Sequence, residues 1–579
     1  MGRVASGARR GAREILFWLG ACILLAGTGR VASAGDGTPA LVVVVSVDQF
    51  AYEYLERFRA GFDPQGIFRR CQRDGAWFTN CHHRHGVTTT APGHSVQLTG
   101  AYPETNGIVD NDWLDRATGK EVYCVADSHA KLIGPQAGDE PVSPHNLLSD
   151  TLGDRLKIVT AGRSRIFGVS LKDRAAILMT GHAADGAFWM SKAGHWITSD
   201  WYRSALPPYL RSSNPLGPGV HFSGKTWNLL YDRSRYQHPP QEDSFGEHPP
   251  AGMQAGFPHT LPEAGTKTFL RQLEVSPFGN ELTLEAARLL IADEQLGKGP
   301  FPDLLTINLA SNDYVGHSFG PESLEVEDIT YRTDRLLGEF VDFVNERLEG
   351  RHWVFVLTGD HGVAPIPERL VRRKISAKRN ALGVDGRKQP GNAHQMLEAY
   401  LKDKLGIADG RPGLVLAVIE SQVYLRADHP DLKGGKFAEA ERRTRDWLLS
   451  QDEVAAAVTR EQMLSGETTG PLEAALRRSF HPRRSGDVLY CLEPYDIDGS
   501  SAATHGTPWD YDTHVPLLAI SFGQAPANRR VPHGRFDRLV SPASIAPTLA
   551  ALLHVPPPGG CLEQALPELL PRENAHAAE

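Results

Sequence analysis

The chain has 579 residues, 61 Lys+Arg against 69 Asp+Glu, a formal net charge of −8 and 41% hydrophobic residues. That length exceeds one average domain, so one large α/β domain carrying insertions, or two domains sharing a core, is expected. The mild acidity, with no basic run interleaved with aromatics, argues against a nucleic-acid-binding surface.

At the N-terminus, Arg3, Arg9, Arg10 and Arg13 precede the apolar run ILFWLGACILLAG, and Val31-Ala32-Ser33-Ala34 follows it. A basic, an apolar and a small-residue region in that order read as a secretory signal, residues 1–34, cleaved near Ala34. No later run approaches the roughly 20 apolar residues of a membrane span. Residues 35–579 are therefore expected to be periplasmic or secreted and monomeric. Leu19-Gly20-Ala21-Cys22 loosely resembles a lipoprotein cleavage box, but the apolar run continues past Cys22. Cys71, Cys81, Cys124, Cys491 and Cys561 remain, an odd number that permits one or two disulfides in an oxidising compartment without assigning them. None lies in a CxxC pair, so no cysteine is assigned to metal.

Leu41-Val-Val-Val-Val-Ser-Val47 is continuously apolar and β-branched, the pattern of a strand buried on both faces of a parallel sheet. Leu304–Leu309 and Trp353–Leu357 repeat the design, and helix-like segments Thr283–Gln295 and Glu325–Leu348 alternate with them. The expectation is an α/β fold with a doubly wound, mostly parallel central sheet flanked by helices. An irregular Pro-, Gly- and aromatic-rich insertion covers about 191–265. A charged, helix-prone stretch at about 368–486, including Phe437–Leu449, reads as a smaller inserted α/β subdomain. Val515–Ile520 and Pro542–Leu553 return to the core as strand and helix.

Each core strand ends in chemistry-bearing residues: Asp48 after the first, Asn312-Asp313-Tyr-Val-Gly-His317 after the second, Asp360-His361 after the third. Ligands of open α/β sheets collect at the carboxyl ends of strands, so three such endings converge if the strands are neighbours. Asp313 and His317, four apart, share one face of a helical turn. His505 lies before the C-terminal strand, and His514 in the same segment is also available. A mixed set of Asp48, Asp313, Asp360 and three histidines suits zinc better than magnesium or calcium, and six ligands suit two ions with open positions.

The motifs SVDQF (46–50), TTTAPGHSVQLTGAYPETNGIVDNDW (88–113), SLKDRAAIL (170–178), NDYVGHSFGP (312–321), TGDHG (358–362) and THGTPWDYDTHVPL (504–517) resemble the alkaline phosphatase superfamily. The resemblance is to its phosphodiesterase/nucleotide pyrophosphatase-like part, and more closely to bacterial phosphate-irrepressible alkaline phosphatases with a threonine nucleophile. It spans nearly all of the chain after Ala34, in order. The resemblance implies two Zn²⁺ per chain, one held by Asp313, His317 and His505 and the other by Asp48, Asp360 and His361. It aligns the nucleophile, itself a metal ligand, with Thr90. A proline is tolerated in a first helical turn, so Pro92 places Thr90 at a helix N-terminus, where the dipole attracts a phosphoryl group. His94, four residues into that helix, reads as structural, and His82, His83 and His85 lack a nearby carboxylate.

Lys172 and Arg174 alternate on what reads as an extended segment, which sends both side chains the same way. The resemblance makes them, with Asn111, contacts of the phosphate oxygens and marks a monoesterase rather than a diesterase. The expected function is hydrolysis of the phosphate monoesters of small metabolites through a phosphothreonine. A diesterase or nucleotide pyrophosphatase with the same metals is the first alternative, and a non-catalytic zinc-stabilised binding protein the second.

Overall fold

The computed structural model describes residues 37–237, 244–382, 392–408, 410–468 and 470–570. The signal segment 1–34, Cys22 included, lies outside the described residues. In chain order the elements that build the site are β1 (Leu41–Val47), α1 (Thr90–Thr99), β2 (Ile166–Val169), α2 (Asp173–Thr180) and β3 (Gly186–Met190). They continue with α3 (Pro277–Asp293), β4 (Asp303–Leu309), α4 (Ser311–Phe319), α5 (Leu324–Leu348), β5 (Trp353–Gly359) and β6 (Leu517–Phe522).

The centre of a ten-stranded sheet runs β6-β5-β1-β4-β2-β3. The pairs β5/β1, β1/β4, β4/β2 and β2/β3 are parallel. β6 is antiparallel to β5, and the margins beyond β6 and β3 also contain antiparallel pairs. All seven residues of β1 are buried. Their alternation explains why: Leu41, Val43, Val45 and Val47 join the core on one face, while Val42 and Val44 join the core on the other. β-branched side chains on both faces fit only a strand covered on both sides.

The helices begin and end within a few residues of their sequence patterns, with one larger difference: α3 starts at Pro277 rather than Thr283. Proline at the first helical position costs no hydrogen bond, so the helix begins where Pro277 allows rather than where the apolar period becomes clear. The stretch beyond β3 contributes Trp196–Ser199 as an antiparallel strand of the main sheet and sends Phe222 and Trp227 into the main core. A separate four-stranded antiparallel sheet pairs Val415–Ile419, Gln422–Leu425, Val488–Leu492 and Val454–Thr459 in that order. It has its own core, including Leu397, Leu401, Trp447 and Tyr490.

The disulfides an exported chain permits are not formed: Cys71, Cys81, Cys124, Cys491 and Cys561 are all free thiols. The physical reason is segregation, since Cys71, Cys81, Cys124 and Cys491 each pack into a different hydrophobic core. No described helix is long and apolar enough to cross a membrane.

Candidate active site

The register of the central strands assembles the site. Val47 of β1 pairs with Leu309 of β4 and with Gly359 of β5. The next residues, Asp48, Ala310 and Asp360, therefore leave three adjacent strands at one level. α4 begins immediately after β4 and presents Asp313 and His317 from consecutive turns.

The result is a cluster of buried carboxylates and imidazoles. His317 Nε2 is 3.1 Å and His505 Nε2 3.6 Å from Asp313 Oδ1. His361 Nε2 is 3.6 Å from Asp48 Oδ1 and 3.1 Å from Asp360 Oδ2. The rings of His361 and His505 stack with centroids 3.4 Å apart, bringing the two groups of residues together. Among the described residues, ligand atoms close enough to share one ion form three sets: Asp313, His317 and His505; Asp48, Asp313 and His361; and Asp48, His94 and Asp360. His514 lies elsewhere, with Nε2 2.9 Å from Thr79 O and its ring stacked on His82. His83 is turned to Gly359 O at 3.1 Å, and both nitrogens of buried His85 lack a hydrogen-bond partner.

Backbone carbonyls fix the imidazoles. His317 Nδ1 faces Ala503 O at 2.8 Å, His505 Nδ1 faces Thr88 O at 3.0 Å and His361 Nδ1 faces Gly362 O at 2.9 Å. A ring that donates from Nδ1 keeps Nε2 as a free lone pair, which is the form that ligates a metal. Burial also lowers the pKa of His361 and of His505 to about 4, so both rings are neutral at ordinary pH.

Lys172 is the one ammonium in contact with the cluster among the described residues, 2.6 Å from Asp313 Oδ2 and 3.0 Å from Asp48 Oδ2. Burial opposes ionisation of Asp48, but Lys172, with His94 and His361 beside it, outweighs that effect and holds the carboxyl below its ordinary value. At Asp313, burial is outweighed by His317 and Lys172. At Asp360, burial together with the Asp48 charge outweighs His94 and Lys172 and pushes the carboxyl up to about 8. Three acidic groups thus share one ammonium in a dry place, and ionising the third, Asp360, would leave uncompensated negative charge there, which a bound cation relieves. Asp48 Oδ1, Asp360 Oδ2 and His361 Nε2 are moreover buried without a hydrogen-bond partner; the last two are close but off line for a hydrogen bond. Orphaned buried acceptors converging from the ends of two adjacent strands fit metal ligation.

Thr90 begins α1, with Thr89 as an extended N-cap residue, and all ten helix residues are buried. The helix approaches β5 closely because residue 93 is glycine: a Cβ there would lie 2.2 Å from Asp360 O. A Cβ on Gly316 would likewise lie 1.6 Å from Gln49 Oε1, so α4 packs directly on Gln49. Asn111 is tied to the start of α1, its Oδ1 accepting from Ala91 N at 2.9 Å, which leaves its amide NH₂ as the donor. Lys172 and Arg174 are not on an extended segment. Lys172 is the extended N-cap residue of α2 and Arg174 lies in its first turn, because Asp173-Arg-Ala-Ala starts a helix whose apolar side is buried. Their contacts differ accordingly: Lys172 reaches the carboxylates, whereas Arg174 Nη1 is 3.4 Å from the hydroxyl of Tyr123, which donates to Asp173.

Four participants received no role in the site from the sequence. Gln49 donates from Nε2 to Asp313 at 2.8 Å and from its backbone N–H to Asp360 at 3.1 Å. Asn308 donates to Asp48 at 3.2 Å and lies 2.9 Å from His94 Nε2. His94 Nδ1 is 2.9 Å from Thr90 O and 3.2 Å from Asp360 Oδ2, so this ring joins the helix that Thr90 begins to the carboxylates. Asp512 accepts from Gly506 N, Thr507 N and Thr507 Oγ1 at 3.0, 2.9 and 2.7 Å, and so shapes the segment carrying His505. Gln49, His94 and Asp512 lie within the quoted motifs, and Asn308 is a polar residue inside an otherwise apolar strand, so each had a local signal but none that named its partner.

Residues 42–464 match the family model described as type I phosphodiesterase / nucleotide pyrophosphatase. The chain is 32% identical over 537 residues to alkaline phosphatase PhoV of Synechococcus elongatus, covering 92% of this chain and 93% of that protein. It is 31% identical over 543 residues to alkaline phosphatase PafA of Elizabethkingia meningoseptica, covering 92% and 95%. The crystal structure of alkaline phosphatase PafA superposes with a TM-score of 0.80 at 29% identity, over 92% of this chain and 99% of that one.

Proposed function

The chain belongs to the type I phosphodiesterase/nucleotide pyrophosphatase family, and from that premise we propose that it is a zinc-dependent alkaline phosphatase acting on the monoesters of small phosphorylated metabolites. The observation that carries this reading is the convergence of Asp48, Asp313, Asp360 and His361 at the carboxyl ends of β1, β4 and β5, with orphaned buried acceptors on Asp48, Asp360 and His361, beside the helix that Thr90 begins.

Asp313, His317 and His505 would hold one zinc, and Asp48, Asp360 and His361 the other, with His94 braced against the second group. Bound there, zinc supplies Lewis acidity that lowers the pKa of the Thr90 hydroxyl and offsets charge on the phosphoryl oxygens. The Thr90 oxygen forms a bond to phosphorus as the ester's alcohol oxygen leaves and takes up a proton. Water then cleaves the phosphothreonine, releasing inorganic phosphate and restoring the hydroxyl. The positive end of α1, the Asn111 amide, Lys172 and Arg174 meet the charge on the transferring group. A monoester dianion needs more such cations than a diester, which is why these two basic residues favour the monoesterase reading. The basic, apolar and small-residue pattern ending at Ala34 supports export, and the separate four-stranded sheet supports an inserted subdomain around 368–486 of a catalytic domain.

Steady-state hydrolysis of phenyl phosphate and of methyl phenyl phosphate, which share a leaving group, tests the function. A preference for the monoester is expected. A preference for the diester would make the protein a phosphodiesterase with the same centre.

A further inference from the structure

Pro92 has a second effect at the start of α1. An N-cap threonine ordinarily accepts from the N–H of the second or third helical residue. Here the third residue is Pro92, which has no N–H, and the N–H of the second, Ala91, donates to Asn111 Oδ1 at 2.9 Å. Thr89 accordingly makes no side-chain cap bond, and its hydroxyl donates instead to Asp110 Oδ1 at 2.8 Å. Thr89 also lines, with His505 and with Glu420 at the tip of the hairpin formed by Val415–Ile419 and Gln422–Leu425, a cavity of ≈ 230 Å³. The bond between Thr89 and Asp110 therefore borders open space beside the candidate active site.

Packing brings Asp110 and Asn111 to this point. Ile108 and Val109 enter the hydrophobic core that Ala91 of α1 shares with Ala176, Ile177 and Leu178 of α2, and Cys124 N donates to Asn111 O at 2.8 Å. Asp110 Oδ1, which accepts from Thr89, also accepts from Asn111 N at 2.7 Å. The residues on either side of Thr90 are thus both cross-linked, Thr89 to Asp110 and Ala91 to Asn111, and one carboxyl oxygen ties the two links together. Asp110 is fully buried, and its other oxygen, Oδ2, has no hydrogen-bond partner among the described residues. A buried carboxyl with one oxygen unsatisfied opposes folding, so the arrangement points to a geometry held for chemistry rather than for stability.

Resting on the reading of Thr90 as nucleophile and of Asn111 as a contact of the phosphoryl oxygens, we propose that Asp110 is a positioning residue for phosphoryl transfer. It holds the Thr90 end of α1 and the Asn111 amide in one fixed relation, so that the attacking oxygen and the amide donor meet the same phosphoryl group. Asp110 acts through these two neighbours and touches no substrate itself. Without it the Thr89 hydroxyl loses its acceptor, and Asn111 is tied to α1 only by its own bond from Ala91 N.

The test is a double-mutant cycle on kcat/KM for phenyl phosphate, with the thermal midpoint of each zinc-loaded protein measured beside it. Asp110→Ala is expected to lower kcat/KM about tenfold to a hundredfold in the wild-type background, the cost of misplacing a reacting group by about an ångström. In the Asn111→Ala background the further loss is expected to be only about threefold, since little is left to position. Asp110→Asn, whose Oδ1 can accept the same two bonds, is expected to stay within about threefold of wild type. A merely structural carboxyl would lower the midpoint while the losses from Asp110→Ala and Asn111→Ala multiply independently, and that result overturns the proposal. So does an Asp110→Asn variant as impaired as Asp110→Ala. If Asp110→Ala does not fold, the cycle is run with Thr89→Val, which removes one of the two donors, and independent losses there overturn the proposal equally. A wild type that prefers methyl phenyl phosphate overturns the monoesterase reading alone, and the cycle is then judged on that diester; a wild type that cleaves neither ester overturns both.

Discussion

Thr90 carries the heaviest chemical burden of any single side chain proposed for this protein. It is 2% exposed, at the first position of a buried helix, where no other hydroxyl is equivalently placed: Thr89 donates to Asp110 and Thr88 donates to Thr507 O. Thr90→Ala is expected to lower kcat for phenyl phosphate by at least about a thousandfold, the scale on which a lost nucleophile acts. Full activity in that variant would remove the assignment. The pair Lys172→Ala/Arg174→Ala is expected to lower monoester kcat/KM by about a hundredfold or more, the cost of removing charge-stabilising donors. Diester hydrolysis should fall much less, so the monoester-to-diester ratio is the decisive readout. Lys172 bridges Asp48 and Asp313, so zinc should be saturating in that assay to keep the comparison on substrate binding.

Among the elements, α1 and the segment 504–507 depend most on close fits. Gly93 lets α1 rest on the backbone of Asp360, and a methyl group there meets a carbonyl that cannot rotate away. Gly93→Ala is therefore expected to destabilise the fold by about 1–3 kcal/mol, the range for overpacking, measurable as a shift of the denaturant midpoint. The 504–507 segment has little regular structure, and Asp512 replaces it with three hydrogen bonds. Asp512→Ala should weaken zinc binding about 10–100-fold, as loss of a group supporting a metal ligand does, in a competition titration with a chelator. Retained affinity would mean that His505 is held by its Nδ1 contact with Thr88 O alone.

At the scale of the whole molecule, the metal centre joins β1, β4, β5, α4 and the segment before β6, so its occupancy bears on global stability. Chelation is expected to abolish activity and lower the thermal midpoint, and added zinc to restore both. For each ion at a hundredfold excess over its Kd the stabilisation is about 2.7 kcal/mol. An unchanged midpoint on chelation would show that the carboxylate cluster tolerates its own charge without a cation. The smaller sheet has a core of its own, and it meets the centre through the hairpin tip at Glu420. The main sheet supplies the chemistry, while the attached subdomain borders the space beside it.

Much of this arrangement is written locally. An apolar, β-branched run followed by Asp reads as a covered strand delivering a carboxylate, and Asp313 and His317 share a face by the helical period; hence β1, β4, β5 and the Asp and His residues at their ends were legible. The sequence by itself also determined that Thr90 would stand at a helix start, through Pro92. Tertiary structure decided what depends on residues far apart in the chain. Gln49 finds Asp313 across 264 positions and Asn308 finds Asp48 across 260, pairings that no local pattern encodes. It chose His505 over His514 beside Asp313, separated the cysteines into different cores, and wound Lys172 and Arg174 into a helix start. It also brought the tip of a distant hairpin, at Glu420, into the wall of the cavity that His505 lines. The division has one physical cause: period and propensity act within a few residues, whereas the partner of a buried charge is selected by which strands become neighbours.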